Sequence, residues 1–464
     1  MKRLGIIALF VVLLIQPFVL SAEQTEDEKR REILQFGLEP EITELIGTLQ
    51  KEENKTFNDD ILNVFNSTKN PVLRESVLSF FAAQKDPALK DFALSTLTDP
   101  WDFKTSTVIA VLSYAESISL KEATPSIRKI LDGESNEYRA KALSTLGKLG
   151  SAEDARYLVE SLDGDIPGDD KQKLIIRQNI MAALGELRAV ETWDRLVEIA
   201  KDTDENAVIR ATAATAIGKM GKPEAIPVLS ALFEDTDPVL RTAAIEGLSN
   251  YSEPGAVSVV LQGFKDSYYK VRLAALAAAG NNKYPEALSY VLYRAKNDPV
   301  EAVKYQAFDA AGTYNDAAAN AWLRDMLLDA KASDKVRIKA ASVLLGNDFD
   351  GIYQEFEKVA LETLKDDKKA SLRYELGKLA SKYQSQKTLA LASGYLSHKD
   401  PLTRSIALDL FERNRYPEMA AAVASIAADE KQGALQRRAK KILGTKNDAG
   451  GTDATEPVPG SVLK

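Results

Sequence analysis

From about residue 71 to residue 444 the chain repeats one alternation of polar and apolar positions. The segments NAVIRATAATAIGKMG (206–221), DPVLRTAAIEGLSNY (237–251), YKVRLAALAAAG (269–280) and DKVRIKAASVLLG (334–346) share one layout. Each is a polar turn, an aliphatic residue, a basic residue and then an Ala-rich apolar run. A second apolar stripe at helical spacing follows each run, as in Ile226, Leu229, Leu232 and Phe233. The elements predicted are therefore pairs of helices, with no strand of note. Taking the basic residue as anchor gives Arg74, Lys104, Arg139, Arg177, Arg210, Arg241, Arg272, Lys304, Arg337, Arg373, Arg404 and Arg437. Successive anchors from Arg177 to Arg337 are 33, 31, 31, 32 and 33 residues apart, the spacing of a repeat architecture. The step from Arg139 to Arg177 is longer, at 38, because DGDIPGDD (163–170) is inserted between repeats.

Position within the unit carries physical meaning. Three residues after the anchor stands a small or apolar residue, as in Ala142, Ala213, Ala244, Ala275, Ala307, Ala340 and Ala407, and a small side chain there lets neighbouring helices approach closely. Eight after it stands Gly147, Gly185, Gly218, Gly280 or Gly312, predicted to close the first helix in a left-handed conformation. Pro223, Pro254, Pro285 and Pro417 fall at second-helix starts, and Asp-Pro pairs at Asp237, Asp298 and Asp400 are predicted to open first helices. Asp237 with Arg241, Asp334 with Arg337 and Asp400 with Arg404 lie three or four residues apart on one helical face and are predicted to pair. With Arg210 and Arg272 they would form a ladder through the turns that fixes repeat orientation.

This pattern resembles the HEAT-repeat family, and within it the short HEAT-like repeats of phycobilisome lyases. The resemblance covers about residues 71–444 and implies an all-α fold, a right-handed α-solenoid of about twelve helix pairs. It implies first helices on the convex side and second helices on the concave side. It specifies architecture, not function. The organisation expected is a signal peptide (1–22), an N-terminal helical cap (23–69), the solenoid (70–444) and a disordered tail (445–464).

Composition narrows the chemistry. The 464 residues hold 60 Lys plus Arg against 68 Asp plus Glu, a net charge of −8, which argues against a nucleic-acid binder. Cysteine is absent, which removes disulfides, thiolate metal sites and lipid attachment through Cys. Lys2 and Arg3, the uncharged run 4–15, Pro17 and the small residues Ser21 and Ala22 have the layout of a secretory signal peptide. The expectation is export to a bacterial periplasm, with no membrane span in the mature chain.

The single histidine, His398, sits in a turn with no nucleophile or orienting acid indicated, so it is expected to be an exposed, ordinary residue. Dinuclear-iron hydroxylases of this fold need several His-Glu pairs, and one His excludes them. Asp163, Asp165, Asp169 and Asp170 offer carboxylates of the Ca²⁺-ligand type but lack EF-hand order, so a solvated loop is expected. No metal and no cofactor is called for. Eight of sixteen tyrosines fall within 64 residues: Tyr251, Tyr268, Tyr269, Tyr284, Tyr290, Tyr293, Tyr305 and Tyr314. Tyr293 aligns with Ala231 and Gln262 of the preceding units, outside the apolar triplet; Tyr290 and Trp322 align with Val228. Tyr293, Tyr290, Tyr269 and Trp322 are the candidate binding residues. The function expected is an exported, non-catalytic scaffold binding a protein or peptide on the concave face. The alternatives are a lyase-like or carboxylate-based enzyme in the groove, or a carbohydrate or cell-wall binder using Tyr and Trp322 as platforms.

Overall fold

The computed structural model describes residues 25–133 and 137–444; the expected signal peptide (1–22) and the expected disordered tail (445–464) lie outside the described residues. The described residues are helical, with short 3₁₀ turns and no strand among them. They divide into two compact units, one ending at Asp202 and the other beginning at Thr203. In the first unit the helices Glu39–Lys51, Pro71–Gln84, Thr105–Ser117, Arg139–Leu149 and Asp170–Leu187 pack each on the next as one row. A second helix follows each, from Asn58–Ser67 to Trp193–Lys201. The second unit repeats the scheme, with first helices running from Ala207–Lys219 to Pro401–Asn414 and a closing helix Ala434–Leu443. The architecture is an α-solenoid.

Local sequence accounts for the helix starts. Asp237 precedes the helix Pro238–Leu248, and its side chain accepts from the Val239 N–H at 2.8 Å while Pro238 occupies the position that needs no donor. Asp400 does the same before Pro401–Asn414. Asp298 departs from this expectation: the helix beyond it starts at Glu301 with Val300 as cap, and the Asp298 side chain is drawn into the core. In the region expected to be the N-terminal helical cap (23–69), Glu39–Lys51 packs on Pro71–Gln84.

The core lies between successive first helices. Ala142, Ala213, Ala244, Ala275, Ala307, Ala340 and Ala407 are all completely buried, as are Ala225, Ala256, Ala287 and Ala319 of the second helices. The recurrent glycines do not cap their helices. Gly218 lies inside Ala207–Lys219, where a methyl group would collide with the Gly247 Cα of the next first helix. Gly147 inside Arg139–Leu149 faces the Ala183 backbone, and an added Cβ would stand 2.8 Å from its Cα. Glycine here serves close backbone approach. The left-handed helix ends lie eleven residues after the anchor, at Lys85, Arg188, Lys283, Asn315 and Arg415, all with positive φ.

Candidate functional site

The anchor arginines form a ladder whose rungs join successive repeats. Arg210 reaches Asp235 at 3.1 Å. Arg241 grips Asp266 through Nε (2.8 Å) and Nη2 (3.1 Å), and its Nη1 donates to the carbonyls of Asp235 and Thr236 at 3.0 and 2.9 Å. Arg272 repeats this with Asp298, at 2.8 Å through both nitrogens, and with the carbonyls of Asp266 and Ser267. The Arg241 and Arg272 guanidiniums thus clamp the turn before them by carbonyls and the turn after them by a carboxylate. Each carboxylate also accepts from a backbone N–H of its own turn: Asp266 from Tyr268 at 2.7 Å and Asp298 from Val300 at 2.9 Å. Such forked charged bonds are strong and directional.

The pairing register differs from the expected one. The aspartate three or four residues before an anchor does not hold it. Asp237 and Asp400 are folded back on first-turn N–H groups as helix caps, so their carboxylates are occupied. Asp334 binds Lys369 of the following repeat at 2.9 Å. Arg337 instead donates to the Leu327 carbonyl at 2.9 Å. Arg373 donates to the Thr403 hydroxyl and the Thr363 carbonyl, with Asp400 at 4.0 Å, and Arg404 donates to Gln432 at 2.8 Å. Lys104 is exposed and stands before its helix as cap residue. Burial pushes the Asp298 carboxyl up, but the Arg272 hydrogen bonds, the Val300 N–H and the charges of Arg272 and Arg294 outweigh it and hold it below the ordinary carboxylate value. Asp266 is held low in the same way, burial opposed by Arg241 and the Tyr268 N–H.

The four aromatic candidates separate. Tyr293, on the second helix Leu288–Asn297, is 58% exposed, with the Arg294 guanidinium 5.3 Å from its ring centre. Tyr290, one turn before it, is half-buried against Phe264 at 5.5 Å, with the Lys265 ammonium over its ring. These two share a helix face. Tyr269 is half-buried at the start of a first helix beside Tyr268, and no ring contact joins it to Tyr290 or Tyr293 among the described residues. Trp322 is a correction: it is 7% exposed and packs on Phe308 at 4.7 Å, so it belongs to the core and offers no platform.

His398 is half-buried rather than exposed. Its Nδ1 accepts from the Asp400 N–H at 3.0 Å, and burial followed by the Arg373 charge lowers its pKa. The aspartates of 163–170 diverge. Asp163 binds Arg195, Asp169 caps the helix Asp170–Leu187, and Asp165 turns to solvent with Lys173 at 3.9 Å. Among the described residues no group of three His, Asp or Glu side chains is placed to hold a metal ion.

Comparison with known proteins follows the ladder's extent. Across residues 34–442 the sequence matches the family described as spirochaete HEAT repeat protein. The chain belongs to this family. A 97-residue stretch is also 27% identical to deoxyhypusine hydroxylase of Drosophila melanogaster, covering 21% of this chain and 30% of that protein. Among solved structures, the karyopherin Kap121p bound to the extreme C-terminus of the phosphatase Cdc14p is similar with a TM-score of 0.39 at 13% identity, over 91% of this chain and 54% of that one. The CpcE–CpcF complex of phycocyanin lyase from Nostoc is similar with a TM-score of 0.34 at 17% identity, over 55% and 94%.

Two features of this HEAT-repeat chain escape local sequence reasoning. The true ladder partners Asp235, Asp266 and Asp298 stand 25, 25 and 26 residues after their anchors, a spacing visible only when repeats are compared. The tyrosine cluster also has a structural share. The Tyr284 hydroxyl donates to the Tyr251 carbonyl at 2.8 Å, and the Tyr314 hydroxyl to the Tyr284 carbonyl at 2.9 Å. These side chains pin one repeat to the one before it.

Proposed function

We propose that the protein is an exported, non-catalytic scaffold that captures a protein or peptide partner on the second-helix face around Leu288–Asn297. The observation that carries this is Tyr293. The positions equivalent to it, Ala231 and Gln262, are also exposed, so the fold needs no large side chain there. A rigid ring held in solvent with a cation against it is the kind of group that anchors recognition surfaces. Tyr290, Lys265 and Arg294 extend the patch with half-buried aromatic surface and positive charge, which suits an acidic or aromatic peptide. The layout of residues 1–22 supports export to a periplasm, where such a scaffold would meet envelope proteins.

The test is Tyr293→Ala, compared with wild type by in-cell crosslinking and by chemical denaturation. Partner capture should fall roughly tenfold or more, since truncating an interface anchor costs about 1–3 kcal/mol. Stability should change by no more than about 0.5 kcal/mol. Equal capture by the two proteins would reject the surface.

A further inference from the structure

The ladder lacks a carboxylate rung at Arg139, and the Arg139 side chain borders a cleft. Arg139 is 7% exposed, and its Nη2 donates to the Gly133 carbonyl, six residues back, as Arg241 and Arg272 clamp carbonyls six residues back. Its Nε has no hydrogen-bond partner. In Arg241 and Arg272 that nitrogen is the one nearest the carboxylate of the following turn. The residue in the corresponding place is Asp165, 26 positions on, but the longer loop carries its side chain outward, to 99% exposure. The neighbouring Asp163 is taken by Arg195.

The loop closes over a cleft of about 370 Å³ bordered by Arg139, Asp132, Tyr157 and Ser161, with Ile166 and Ile176 among its apolar walls. That is the size of a small-molecule site. A buried guanidinium with an unused donor is costly unless something accepts from it. We propose that this cleft binds a small organic carboxylate with an aliphatic body, its carboxylate completing the Arg139 rung and its apolar part lying against Ile166 and Ile176. Asp132, which accepts from the Tyr157 hydroxyl at 2.8 Å, lies in the same cleft and would favour a ligand carrying an ammonium beside its carboxylate, as an aliphatic α-amino acid does. Binding would tie the 163–170 loop to the helix Arg139–Leu149, as Asp266 and Asp298 tie their turns to the preceding first helix.

Titration calorimetry on the full chain tests this with three probes of similar shape: leucine, 4-methylpentanoate and 4-methylpentanol. At least one of the two carboxylates should bind with Kd of about 1 mM or tighter, and the alcohol at least roughly tenfold more weakly. Leucine tighter than 4-methylpentanoate assigns Asp132 to the ammonium; the reverse order assigns the site to simple carboxylates. Arg139→Met should weaken the carboxylate roughly tenfold or more. Ser161→Phe, which fills the cleft from the helix Ala152–Asp163, should abolish binding and decides the matter if Arg139→Met does not fold. Asp170→Ala, at an exposed position outside the cleft lining, should leave Kd within about twofold. No heat from either carboxylate at 20-fold that concentration, equal binding of the alcohol, or binding indifferent to Ser161→Phe would overturn the proposal.

Discussion

Arg272 and Arg139 occupy the same place in the repeat and live in different surroundings. Arg272 meets a fully buried carboxylate through two 2.8 Å bonds. Arg139 is equally buried, holds one carbonyl and leaves its Nε buried without a hydrogen-bond partner. The change lies in the connection: the anchor step is 32 residues out of Arg272 and 38 out of Arg139. Within the longer connection DGDIPGDD, Asp165 points to solvent, away from the guanidinium. The comparison teaches that an anchor arginine is kept in place by its helix and its preceding carbonyls, whereas the carboxylate is a separate contribution from the next turn.

The sharpest way to break this contrast is to remove each arginine. Arg272→Ala takes the bidentate partner from the buried Asp298, leaving it the Val300 N–H and the more distant Arg294 at 3.4 Å, and should cost about 3 kcal/mol in urea denaturation. Arg139→Ala removes one hydrogen bond and some stem packing and should cost about 1 kcal/mol. Similar losses at both sites would mean that the carboxylate rung adds nothing. Removing the carboxylate charge sharpens the point: Asp298→Asn should cost about 2 kcal/mol, and Asp165→Asn, at an exposed position, within about 0.5 kcal/mol.

Acid provides a third and smaller effect. Asp266 and Asp298 are both held below the ordinary carboxylate value in the fold. A group with a depressed folded pKa contributes stability that is present above its unfolded pKa of about 3.9 and lost as pH falls through the folded value. The second unit should therefore lose stability below about pH 4, and Asp298→Asn should flatten that decline. Denaturation midpoints between pH 7 and pH 3 that fall in parallel for mutant and wild type would contradict the assignment.

Much of the fold was legible because it is periodic. The seven alanines that stand three after an anchor are buried to completion, and where the place is taken by Val77, Ile180 or Leu376 that side chain is buried too. Tyr293 was legible as an exposed ring because two earlier repeats place Ala231 and Gln262 there. The ladder's register was not, because the Asp at three or four residues is a local neighbour and the true partner is a neighbour only through stacking. Asp237 serves its own helix, while Asp266 serves Arg241 of the repeat before. The glycines were misassigned for the same reason: a glycine near a helix end reads alike whether it caps the helix or admits a neighbouring backbone, and Gly218 does the second. Trp322 carries the ring of a recognition residue at the position of the half-buried Val228, and its packing on Phe308 buries it.

A pair of double-mutant cycles tests the central claim, that inter-repeat carboxylates lock the ladder where they reach the anchor and not elsewhere. One cycle combines Arg272→Met with Asp298→Asn, the other Arg139→Met with Asp165→Asn, both followed by urea denaturation. The first should give a coupling energy of about 2–3 kcal/mol and the second a value within about 0.5 kcal/mol of zero. Equal couplings in the two cycles, or none in the first, would contradict it.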